Sequence, residues 1–134
     1  MTAMTLTATP RGFTLRQLLG FDAATCLAFG VLLMSVSAPL EGLLGLPASL
    51  LFYAGVVLLP CAALMALAAR TLAKPLVALV VIGNFAWAVA SVVVAFAFDT
   101  TTFGLVFVLG QAVLVATLGV LEMRAARDAA LPRA

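Results

Sequence analysis

The stretch LVALVVIGNFAWAVASVVVAFAF, from Leu76 to Phe98, decides the fold. No charged residue interrupts it, and it exceeds the roughly 20 apolar residues that a helix needs to cross a hydrocarbon layer about 30 Å thick. In water, the valine-rich run from Val89 to Val94 would favour a strand. In lipid, each backbone N–H and C=O must find its partner within the protein, which leaves a helix or a closed barrel. Barrel strands alternate polar and apolar side chains, and this stretch does not.

Three further stretches read the same way: about 18–38, 49–69 and 103–123, with the quoted one at 76–98. The chain as a whole carries 66% hydrophobic and 9% charged residues. A soluble domain carries about 25% charged residues, so water is excluded as the solvent for most of this surface. The expected architecture is all-α: one membrane domain over 1–134, a four-transmembrane-helix antiparallel bundle with tails at 1–17 and 124–134.

The connections carry the expected punctuation. Pro39 and Pro47 bracket the first. Arg70 to Pro75 form the second, with Pro75 suited to a first helical turn. Asp99, Thr100, Thr101 and Thr102 form the third, and any of them suits the N-cap of the last helix. All seven basic residues fall on one side of this arrangement: Arg11, Arg16, Arg70, Lys74, Arg124, Arg127 and Arg133. The other two connections hold only Glu41 and Asp99. Because cytoplasmic loops accumulate Lys and Arg, both termini are expected in the cytoplasm. The apolar run near the N-terminus is longer than the 7–15 residues typical of a signal peptide, and Pro39 follows the small residues, so the first span is expected to be retained. Each half of the chain is an in-out-in hairpin, as a parallel pseudo-repeat would be, although the halves share mostly apolar composition.

Polar residues inside spans mark the candidate site. Asn84, Trp87 and Ser91 stand at i, i+3 and i+7 on one face of the third span. Gly83 and Ala90 flank that face and are expected to admit a neighbouring backbone. A carboxamide in hydrocarbon needs a partner, so Asn84 either makes an interhelical hydrogen bond or contacts a ligand or ion. Thr25, Cys26, Cys61 and Thr117 share its depth. Pro60 frees the carbonyl of Val56 on the second span, which makes that carbonyl a candidate acceptor for Asn84. Gln111, among Gly104, Gly110 and Ala112, lies about 7 Å from Asn84 in depth, too far for a direct bond unless both side chains extend. Asp22 and Glu122 are expected near the cytoplasmic edge, as interfacial charges beside Arg16 and Arg124. The sharper alternative makes Asp22 a proton or cation ligand. Small residues recur at four-residue spacing (Cys26 and Gly30, Ala62 and Ala66, Ala86 and Ala90, Ala112 and Ala116), as close helix packing requires.

Much chemistry is excluded. The chain has no histidine and only two cysteines, Cys26 and Cys61, which lie on separate spans and read as small buried hydrophobes. No metal site, haem or other cofactor is expected. No carboxylate pair is expected within reach inside the membrane, no nucleotide-binding or nucleophile motif occurs, and an independent catalytic role is not expected. A net charge of +2 gives no reason to expect nucleic acid as a partner. The expected partners are the lipid bilayer and further copies of the chain or a larger membrane complex.

The segment Gly83-Asn84-Phe85-Ala86-Trp87, followed by Thr102-Phe103-Gly104 and Gln111-Ala112, resembles a group of small, uncharacterised bacterial integral membrane proteins. In these, a third span with Asn-x-x-Trp precedes a short Thr-containing loop and a fourth span with Gln-Ala. The resemblance covers mainly the second half of the chain. It implies a bacterial inner-membrane location and carries over no functional residue. Small multidrug transporters and fluoride channels share only the size: the glutamate that the former embed in the first span is absent, and the channels' Asn and Phe-box motifs do not match.

Three functions are open at this level. The leading one is a structural or accessory membrane protein that self-associates or joins a larger complex. The second is a small oligomeric carrier or channel whose polar path runs through Asn84, Ser91, Thr25 and Gln111, with Trp87 as gate or platform. A third, less favoured, is lipid or quinone chemistry on Asp22 and Glu122. Convergence of the polar side chains on a shared cavity would favour the carrier.

Overall fold

A computed structural model describes residues 13–130, and Arg11 and Arg133 lie outside them. Five helices occur among the described residues: α1 Leu15–Ser35, α2 Ser37–Leu44, α3 Ala48–Thr71, α4 Lys74–Ala97 and α5 Thr102–Ala130. All but α2 are long and apolar enough to cross a membrane, with mean hydropathy from 1.8 to 2.3. The protein is therefore a multi-pass membrane protein built as an all-α four-helix bundle.

Local chemistry sets the boundaries. Thr14 caps α1, accepting from the Gln17 N–H at 3.1 Å while the Gln17 Oε1 accepts from the Thr14 N–H at 3.0 Å. This reciprocal capping box starts the helix at Leu15, three residues before the hydropathy boundary. Pro75 stands in the first turn of α4, where its missing N–H costs nothing. Thr101 caps α5 by accepting from the Gly104 N–H at 2.9 Å. The segment expected as a plain connection between Pro39 and Pro47 instead holds α2, with Pro39 tolerated in its first turn and Gly45 closing it at φ 76°.

The helices pair as two antiparallel hairpins. In the α1–α3 hairpin, the Arg16 Nε donates to the Ala69 carbonyl at 3.0 Å, and the Cys26 Sγ donates to the Leu58 carbonyl at 3.4 Å. Further along, Gly30 and Gly55 bring the two backbones together. A Cβ on Gly55 would sit 2.6 Å from the Gly30 carbonyl oxygen, so no larger residue fits without separating the helices. Within lipid, close van der Waals approach of this kind replaces the hydrophobic effect as the force that joins helices. The α4–α5 hairpin is held by side-chain hydrogen bonds described below.

Helix α2 ties the two hairpins at the end remote from the described termini. The Thr101 N–H donates to the Leu44 carbonyl at 3.0 Å, and the Thr101 Oγ1 donates to the Leu43 carbonyl at 2.8 Å. Gly104 lies against the Leu44 carbonyl, where a Cβ would collide with it. Some sequence expectations about small residues need correction. Gly83 and Ala90 are exposed, and a Cβ on Gly83 would meet no atom, so neither admits a neighbouring backbone. Ala66 and Ala86 are also exposed. The close approach uses Gly30 with Gly55.

Candidate functional site

The buried stripe of α1 runs through Leu18, Leu19, Asp22, Cys26, Gly30 and Leu33, repeating mainly at four-residue spacing. One of its members is a carboxylate. On α4 the equivalent stripe carries Asn84 and Ser91, and on α5 Glu122 follows Leu118 by one turn. Asp22, Asn84 and Glu122 are 4%, 3% and 0% exposed, and they meet. The Asn84 Nδ2 donates to the Asp22 Oδ2 at 2.8 Å and to the Glu122 Oε1 at 2.9 Å. One carboxamide thus bridges carboxylates from both hairpins.

This overturns two sequence expectations. Asp22 and Glu122 are not interfacial charges, and a carboxylate pair does lie within reach inside the bundle. Asp22 is seven residues into α1, about 10 Å from its start, and Asn84 is ten residues into α4, about 15 Å. Nor do Arg16 and Arg124 serve as their partners: among the described residues, the side-chain donor to both carboxylates is Asn84, while Arg16 is turned to Ala69. Because both Asn84 donor hydrogens are used in this way, the expected bond to the Val56 carbonyl is not made. The Glu122 Oε2, although fully buried, has no hydrogen-bond partner. An orphaned acceptor costs about 1–3 kcal/mol, more when charged, so this oxygen creates a demand for a proton or a cation.

The other candidate residues form a separate layer. The Trp87 Nε1 donates to the Gln111 Oε1 at 3.0 Å, and the Gln111 Nε2 donates to the Ser91 Oγ at 2.7 Å and to the Val108 carbonyl at 3.0 Å. The Ser91 Oγ donates to the Trp87 carbonyl at 2.8 Å. Gln111 therefore serves Trp87 and Ser91, and makes no bond to Asn84. The Thr25 Oγ1 donates to the Asp22 carbonyl at 3.0 Å, a bond within its own helix. Thr117, expected at the depth of Asn84, is exposed and donates to the Val113 carbonyl.

Between the two hairpins lies a cavity of about 580 Å³ whose wall includes Asp22, Thr25, Asn84, Trp87 and Gln111. Its remaining surface is almost wholly apolar, drawn from all four long helices. Leu32, Leu79 and Leu114, each about half exposed, form its outer edge, so it opens sideways. A second cavity of about 220 Å³ lies beyond Phe29, Trp87 and Phe107, which line both. Ser91 faces this second cavity. Cys26 is buried and Cys61 half-buried, both on the wall of the larger cavity. Among the described residues, no group of three or more Cys, Asp or Glu side chains is placed to hold a metal ion.

Sequence reasoning found Asn84 and missed the pairing of Asp22 with Glu122. A signal was present: Asp22, Cys26 and Gly30 share one helix face, as do Gln111, Leu118 and Glu122. No family model, curated protein or solved structure matches this chain.

Proposed function

We propose that the chain is a small membrane carrier in which the α1–α3 and α4–α5 hairpins are the two halves and the cavity between them is the substrate chamber. The observation that carries this reading is the Asp22–Asn84–Glu122 bridge, which joins the two halves across their interface and presents Asp22 and Asn84 on the chamber wall. Packing alone needs no carboxylate there. A polar anchor between helices is supplied just as well by a neutral amide, whereas buried acidic groups within a bundle mark ion and substrate pathways. A change in the charge of the pair alters the attraction between the halves, which gives substrate or ion binding a means to bias their arrangement. As part of the same proposal, the distribution of basic residues supports both termini in the cytoplasm, and the resemblance of the second half of the chain to small bacterial membrane proteins supports a bacterial inner-membrane setting.

The test is aqueous access. Thr25 lines the cavity and bonds only within its own helix, so Thr25→Cys, in a background with Cys26→Ser and Cys61→Ser, places one thiol in the chamber. A water-soluble, membrane-impermeant maleimide is expected to label it in open membranes, and in sealed vesicles from each side in turn. Absence of labelling in open membranes would mean a dry interior, and would return the chain to a purely structural or accessory role.

A further inference from the structure

We propose that the chamber takes a lipophilic organic cation: a single positive head group seated at Asp22, with an apolar or aromatic tail lying toward Phe29, Trp87 and Phe107. The proposal rests on the carrier reading and names its substrate class.

Three features lead to it. First, the polar end of the chamber is acidic. Asp22 stands on the chamber wall and shares the one neutral carboxamide with Glu122 buried behind it, and among the described residues no basic side chain pairs with either, so a cationic head meets an acidic wall. Second, the rest of the wall is apolar, which a hydrated metal ion or a sugar would not match but a greasy solute does. A volume of about 580 Å³ falls in the range of sites that enclose drug-sized molecules. Third, an aromatic layer stands opposite the acid. The Phe29 and Phe107 ring centroids lie 5.7 Å apart, tilted by 32°, and bring α1 and α5 together across the hairpin interface. Phe29 is seven residues beyond Asp22 on the same helix, so acid and rings are about 10 Å apart along the axis. That separation matches a cationic head joined to one aryl group. Aromatic faces also attract a cation that approaches them, which provides a second resting point along the path.

A proton is the natural competitor for the same carboxylates. The groups that face the head-group position are Asp22 and Cys26 from α1, Cys61 from α3 and the neutral Asn84 from α4, with Glu122 of α5 buried behind Asn84 and off the cavity wall. Arg16 and Arg70 are exposed.

The chain's single tryptophan, Trp87, lies on the chamber wall and reports occupancy without any labelling. Purified full-length protein in mild detergent is titrated with benzyltrimethylammonium, and separately with neopentylbenzene, its neutral counterpart of the same shape. The expected result is a saturable change in Trp87 emission with the cation and none with the hydrocarbon. Asp22→Asn weakens the cation response about tenfold or more. Glu122→Gln serves as a second variant, with elution as a sharp peak in size exclusion confirming that each is folded. Equal responses to the two probes, or a cation response indifferent to Asp22→Asn, would overturn the proposal. So would no response to either probe when Thr25→Cys is still labelled; in that case the carrier reading survives and only the substrate class falls. Loss of both the response and the labelling removes the carrier reading itself.

Discussion

The bundle holds two polar layers of similar composition and opposite character. In the Trp87–Ser91–Gln111 layer, every contact lies within the α4–α5 hairpin, and both donor hydrogens and the oxygen of Gln111 are engaged. In the Asp22–Asn84–Glu122 layer, about 5 to 10 Å away along α4, the contacts join the two hairpins, and one carboxylate oxygen is left over. The first arrangement is what an interhelical hydrogen-bond network looks like when its task is to hold one hairpin together. The second is costly to keep dry, because it buries acidic groups between two units and leaves one acceptor over. The difference shows that intramembrane polarity alone does not identify function. What discriminates is whether each group is fully satisfied, and whether the bonds fall inside one rigid unit or between two.

The largest expected effect breaks the acidic layer. Asn84→Leu removes both donors and leaves two facing carboxylates, so it is expected to destabilise the protein by about 3 kcal/mol or more, seen as a lowered unfolding temperature in detergent. Adding Asp22→Asn and Glu122→Gln to Asn84→Leu should recover part of the loss, because the three side chains act as one network. A purely additive result would show that they do not. Next, Gly55→Ala forces α1 and α3 apart at Gly30, at a cost of about 1–3 kcal/mol. It shifts Asp22 relative to Asn84 while sparing the other layer, which contains no residue of α1 or α3. Benzyltrimethylammonium binding should weaken in this variant. Gln111→Leu strips the Trp87 N–H and Ser91 of their partner and should cost about 1–2 kcal/mol. The cation titration of this variant should keep its sensitivity to Asp22→Asn, and loss of that sensitivity would merge the two layers into one site. The smallest effect is expected of Ser91→Ala, about 0.5 kcal/mol, since the Gln111 Nε2 retains the Val108 carbonyl. Differential unfolding measurements on the two variants would rank them.

The spans and their hairpin order were legible in hydropathy and punctuation, and Pro75 and the threonine cap marked their helix starts directly. The first helix starts earlier than expected because Thr14 and Gln17 form a capping box, a pattern that a hydropathy window does not see. The acidic pair was hidden for a related reason. An apolar window ends the fourth span at Met123, which places Glu122 at the rim, but α5 continues to Ala130 and carries that residue inside the bundle. Whether Asp22 and Glu122 meet then depends on the rotation of two helices that are distant in sequence, which composition does not encode. Asn84 was recognisable because a lone carboxamide in an apolar run demands a partner wherever the helix turns. Its two partners were not recognisable from α4 alone.

At the α2 end, the hairpins are fastened through main-chain carbonyls, Leu44 to the Thr101 amide and Leu43 to the Thr101 hydroxyl. No change of pH or ligand alters the charge of those groups. About 10 to 15 Å in from the opposite end, the corresponding fastening is made by the side chains of Asp22, Asn84 and Glu122. The molecule is thus built like a clothes-peg, with main-chain bonds as the spring and side-chain bonds as the jaws. Any opening stroke should widen the jaws while the spring end keeps its spacing, a pattern that paired distance labels at the two ends would record.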